Sequence, residues 1–217
     1  MGLHAVTDRI DISINWLKWP VAVASVVLLI PSLQQCFGLL KSMASTPQPI
    51  LPFLGGAAVY FIVWRLFIRF WRTTLLSTLE HELTHALFAV LTLHRVVGMR
   101  TTWNSGGHLK FMGRGNWLIT VAPYFFPTVC FVLILLAAIV PPLRSSIVDA
   151  LIGAAFAYHV TSTMRETHPG QTDLQSSGFL FCFAFLPTAN LISNGLVLAY
   201  SFGGTAGVGH FLSGIQA

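Results

Sequence analysis

Stretches long enough to cross a bilayer, about 20 residues each, recur between Pro20 and Tyr200, divided by short polar or proline-bearing breaks. That spacing constrains the fold more than any motif does. Charged residues make up only 9% of the chain, against about 25% in soluble domains. Too few polar side chains are available to cover a water-facing globule, so the bilayer must solvate much of the surface. The expected fold is an all-α polytopic membrane protein of about six transmembrane helices.

The breaks place the spans. A polar, interfacial segment (1–15) leads to Trp16, Lys18 and Trp19, an aromatic and basic boundary. Span one runs from about Pro20 to Leu40, and Pro47, Pro49 and Pro52 mark a loop. Span two covers about Phe53–Phe70, span three Thr73–Leu93, span four Trp117–Val140, span five Ser146–Met164 and span six Gly178–Tyr200. Pro123 and Pro127 fall in the first turns of span four. Residues 96–116 are too polar to span, and two β-prone runs flank Asn104-Ser105-Gly106-Gly107. They predict a small membrane-associated β-hairpin directly after span three. One membrane-embedded domain over 1–217 is expected: an N-terminal segment with two spans (1–72), a core (73–200) and a Gly-rich tail (201–217).

Charge excludes some functions and leaves sidedness open. The twelve Lys and Arg stand singly beside apolar runs, as membrane anchors do, so no nucleic-acid partner is expected. Alternating the spans puts six basic residues on each side, and the positive-inside rule gives no orientation. Cys36, Cys130 and Cys182 fit no zinc spacing and read as small buried residues. Asp8, Arg9 and Asp11 before the first apolar run argue against a cleavable signal peptide, and Val6 against myristoylation.

Span three carries His81-Glu82-Leu83-Thr84-His85, an H-E-x-x-H pattern. On a helix, i and i+4 share a face, so both imidazoles can reach one ion. Glu82 is then placed to accept a proton from a zinc-activated water. Ionisable groups cost several kcal/mol at membrane depth, so such a cluster signals function. Thr74, Ser77, Thr78, His81, Thr84 and His85 recur at three- and four-residue steps and form one polar stripe. That stripe must face protein or a water-filled cavity. Glu80, about 100° round the helix from His81, could orient a histidine or pair with an arginine.

A catalytic zinc normally has a third protein ligand. The candidates are His94, His108, Asp149, His159, Glu166, His168, Asp173 and His210. His94 adjoins Arg95 at the end of a span, His210 lies in the tail, and Asp149 suits the N-terminus of span five without a metal. Asp173 leads on position, in a polar connector that enters an apolar helix, although helix capping explains it equally well. His159, a lone histidine inside span five, comes second.

The H-E-x-x-H span, the Gly-bearing hairpin, the Pro-bearing helix and the Asp-containing segment before a late helix together resemble the site-2 protease family of intramembrane zinc metalloproteases. The resemblance covers about Thr73–Tyr200. It implies one Zn²⁺ per chain held by His81, His85 and Asp173, with Glu82 as catalytic base. Two patterns depart from the family's. Gln171-Thr172-Asp173-Leu174 stands where Asn-Pro-Asp-Gly or Leu-Asp-Gly is usual, and Ala122-Pro123-Tyr124-Phe125-Phe126 only echoes Gly-Pro-x-x-Asn.

The implied substrate is a membrane protein cut within or near a transmembrane segment. An unwound strand would pair along the hairpin at Gly106, Gly107 and His108. His108, His159 and Asn190 are candidate oxyanion donors. The lipid bilayer is the remaining expected partner, and no regulatory partner is identifiable. A transporter or channel passing metal ions or protons is the alternative, since it too would bury His and acidic residues.

Overall fold

The computed structural model describes residues 3–67, 75–102, 107–140 and 145–216. Nine helices and one hairpin are described, in the order α1 (Leu3–Trp16), α2 (Lys18–Ser45), α3 (Leu51–Leu66), α4 (Leu75–Leu91), β1 (Val96–Thr101), β2 (Gly107–Phe111), α5 (Trp117–Val121), α6 (Thr128–Ile139), α7 (Ser146–Glu166), α8 (Thr172–Ser177) and α9 (Phe179–Gln216). The chain is an integral, multi-pass membrane protein. α2, α7, α9 and the segment Gln48–Leu66 are long and apolar enough to cross a bilayer, and the α5–α6 pair makes up to five. The count falls below about six because α4 has only 17 residues and residues 68–74 lie outside those described. Only 11% of the most apolar window of α2 is buried in the protein. Val23, Val26, Val27, Ile30 and Phe37 instead point outward, where lipid solvates them.

Two helix pairs frame the bundle, α3 on α7 and α2 on α9. Glycine sets the first approach: a Cβ on Gly56 would strike the carbonyl of Ala150, and one on Gly153 would strike that of Phe53. Small residues of this kind let helices pack by van der Waals contact where lipid supplies no hydrophobic drive. The second half of α9 also departs from the tail expected for residues 201–217. The chain stays helical to Gln216 but turns sharply at Gly204 (φ +64°), a backbone geometry that favours glycine. It then returns so that Phe211 and Ile215 pack on Ala199, with Gly207 against the Ala199 carbonyl.

Span four is broken rather than continuous. Its two parts, Trp117–Tyr124 and Thr128–Ile139, meet at 87°. Pro127 has no N–H to extend the helix, and Pro123 already tightens the preceding turn. Carbonyls left open at such a break need partners inside a membrane. α9 supplies them: Asn190 Nδ2 donates to the Tyr124 oxygen (3.0 Å) and Ser193 Oγ to that of Phe125 (2.5 Å).

The hairpin forms where the sequence predicts it, with antiparallel register from Val96 opposite Phe111 to Thr101 opposite Gly107 and an irregularity between Val96 and Gly98. Asn104, Ser105 and Gly106, the expected turn, lie outside the described residues.

Candidate metal centre

α4 turns its polar stripe inward, with Ser77, Thr78, Thr84 and His85 all buried. Thr84 donates to the Glu80 carbonyl (2.8 Å) and pairs with Thr128 Oγ1 of α6 (2.5 Å), which fixes the rotation of the helix. His81 and His85 then face one cavity of ≈ 400 Å³, to which Glu82, β2 and the connector residues Gln171, Thr172 and Asp173 also contribute.

The structure brings His81, His85 and Asp173 together, with one donor atom of each within 4.8 Å of the others. Asp173 Oδ2 lies 3.3 Å from His81 Nε2 and 3.4 Å from His85 Nε2. Ligands about 2.0–2.1 Å from one tetrahedral ion stand about 3.3–3.4 Å apart, so these spacings match the edges of such a site.

Tautomers sharpen the fit. His85 Nδ1 faces the Ile119 carbonyl at 2.8 Å and His81 Nδ1 faces Glu166 Oε2 at 2.8 Å. Both partners only accept, so both Nδ1 atoms carry the proton. The Nε2 lone pairs therefore point at a carboxylate that has no proton to share. Three acceptors converging on one point repel unless a cation lies between them, and the residues present fit Zn²⁺. Tyr124 supports the third corner, its hydroxyl donating to Asp173 Oδ2 (3.2 Å).

Glu82 lines the same cavity. Gly107 presses against it, since a Cβ at that position would overlap the Glu82 carboxylate. The hairpin is thus seated on the proposed base. His108, Leu109 and Phe111 continue β2 along the cavity wall.

The other residues singled out from the sequence lie elsewhere. His159 is buried on α7, its Nε2 3.5 Å from Thr163 Oγ1. It lines a small cavity of ≈ 10 Å³ behind His81, room for about one water. Glu80 lines that rear cavity too, buried and with Oε1 lacking a hydrogen-bond partner. No Lys or Arg among the described residues lines either cavity. Asn190 spends both Nδ2 protons on the Tyr124 and Leu186 carbonyls, leaving none for an oxyanion. Asp149 occupies the first turn of α7. His168 and His210 are exposed.

His94 is buried, not at a membrane boundary. Its Nε2 lies 3.0 Å from Asp11 Oδ2 and its Nδ1 3.0 Å from Thr92 Oγ1. Asp11 also accepts from Gly115 N (3.0 Å) and Asn116 Nδ2 (2.8 Å). Asn116 in turn caps α5 by accepting from Ile119 N, so this knot reaches the residue whose carbonyl holds His85.

Sequence reasoning did not single out these supporting groups: Glu166 in its contact with His81, Tyr124, and Asp11 with Asn116. Only Glu166 left a usable sign. An acidic residue closing a helix opposes the helix dipole, and that asks for a compensating partner.

The family model described as Peptidase M50B-like matches residues 53–211. No curated protein and no solved structure matches the chain.

Proposed function

From the premise that the chain belongs to the Peptidase M50B-like family, the site-2 protease family of membrane metallopeptidases, we propose that it is an intramembrane zinc metalloprotease. Its substrates are membrane proteins, cut at a peptide bond within or near a transmembrane segment. The observation that carries this reading is the convergence of His81 Nε2, His85 Nε2 and Asp173 Oδ2, with Glu82 beside them and the hairpin seated on Glu82.

His81, His85 and Asp173 would hold the ion. When bound there, zinc supplies Lewis acidity, which polarises a carbonyl and acidifies water. Glu82 takes the proton from the attacking water and passes it to the leaving amine. The ≈ 400 Å³ cavity admits that water, and its hairpin wall, Gly107 to Phe111, offers main-chain groups to an extended substrate strand. Pairing there uses no particular side chain, and it exposes a carbonyl that a substrate helix would keep hydrogen-bonded. His108 stands on that wall as a candidate donor to the oxyanion. The stretch at Gly106 belongs to the same proposed edge.

The test is zinc content and cleavage of single-span substrates by the purified protein and Glu82→Gln. The expected result is one zinc per chain in both, with cleavage falling by roughly 10²–10⁴ in the variant. Protein without stoichiometric zinc, or a variant that cleaves at the native rate, refutes the assignment.

A further inference from the structure

His81 has a carboxylate at each ring nitrogen. Asp173 faces Nε2 at 3.3 Å and Glu166 faces Nδ1 at 2.8 Å. His85 differs, since its Nδ1 donates to a neutral carbonyl, that of Ile119. Glu166 is itself held from one turn below, where Ser162 Oγ donates to Oε1 at 3.3 Å. It is the last residue of α7, a place where the helix dipole disfavours an anion, and no Lys or Arg lines its cavities. The imidazole N–H is therefore the strongest hydrogen-bond donor on the page for this carboxylate. A charged acceptor behind a ligating histidine locks the tautomer and makes the facing nitrogen a better donor to metal.

We propose that Glu166 is a positioning residue for zinc: it fixes the ring and tautomer of His81 and strengthens that histidine as a ligand, with Ser162 holding Glu166 in turn. The proposal rests on the metalloprotease reading of His81, His85 and Asp173. It also gives the connector after α7 a defined task. Seven residues on from Glu166, the same segment delivers Asp173, so one stretch of chain grips His81 from both sides.

The experiment measures Zn²⁺ affinity of the purified full chain by chelator competition, and the visible spectrum of the Co²⁺-substituted protein. Wild type is compared with Glu166→Ala, Glu166→Gln and Ser162→Ala. Loss of such a supporting carboxylate is expected to weaken zinc binding by about 10–100-fold, with a shifted cobalt spectrum in Glu166→Ala. Glu166→Gln keeps an accepting oxygen and falls between wild type and Glu166→Ala. Ser162→Ala weakens binding less than Glu166→Ala, and this milder pair carries the test if the alanine variant does not fold. Wild-type affinity and an unshifted spectrum in Glu166→Ala, or in both milder variants, overturn the proposal alone. Wild-type protein that binds no zinc overturns the reading beneath it as well.

Discussion

Removing the Asp11 carboxylate should loosen the protein far more than its place near the N-terminus suggests. Asp11 is 1% exposed and contacts three groups, Asn116 Nδ2 at 2.8 Å, Gly115 N at 3.0 Å and His94 Nε2 at 3.0 Å. Asp11→Ala strands all three without access to water. A single unsatisfied buried donor costs about 1–3 kcal/mol, and breaking a buried His–Asp pair costs about 3–5 kcal/mol. These terms overlap, so the expected total is about 3–5 kcal/mol. At roughly 2–4 °C per kcal/mol for a chain of this size, the apparent Tm in detergent should fall by roughly 6–20 °C. Asp11→Asn, which keeps one acceptor oxygen, should lose about half as much. Asp8→Ala, three residues earlier and only partly buried, serves as the control and should stay within about 1 kcal/mol. A second readout follows the path from Asn116 through the first turn of α5 to the Ile119 carbonyl under His85. Zinc affinity should drop in Asp11→Ala while His81, Glu82 and Asp173 remain intact. An Asp11→Ala protein that melts within about 2 °C of wild type, or no lower than the Asp8 control, refutes the account.

Three further outcomes follow from the geometry. Gly107→Ala places a methyl group where the Glu82 carboxylate sits, and should cut kcat by about 100-fold with the circular dichroism unchanged; native turnover would contradict the contact. Gly153→Leu, whose side chain meets the Phe53 carbonyl, should separate α3 from α7 and cost about 1–3 kcal/mol, read as a lower Tm; an unaltered Tm would deny the close packing. Chelation of zinc should lower Tm because it leaves three acceptors facing each other, and restoring free zinc to about 100 times Kd should return about 2.7 kcal/mol. A melting temperature indifferent to zinc would deny that the ion binds the folded state.

The parts of this structure legible in the sequence are those that depend on neighbours along the chain. His81, Glu82 and His85 sit within one helical turn or so, and their shared face follows from 3.6-residue periodicity. The hairpin was legible from its β-prone runs and glycines. Pro123 and Pro127 announced a disturbance, yet whether a proline bends or breaks a span depends on partners for the freed carbonyls, and Asn190 and Ser193 are more than 60 residues away. The glycines after Tyr200 looked like a tail because flexibility and close packing draw on the same residue. Asp173 rested on resemblance, since nothing local separates a ligand from a cap. Glu166 lies 85 positions from His81 and Asp11 105 from Asn116. Contacts at such separations leave no periodic trace.

The break in span four has a consequence for anyone who would transplant this site. Ile119 lies in its first turn and Tyr124 at its bend. One holds His85 through a carbonyl and the other holds Asp173 through a hydroxyl, yet neither would touch the metal. Grafting two histidines, a glutamate and an aspartate onto a straight helical bundle would copy the ligands without the backbone that aims them. What must travel with them is a proline-broken helix, and with it a neighbour carrying an Asn and a Ser at the right depth.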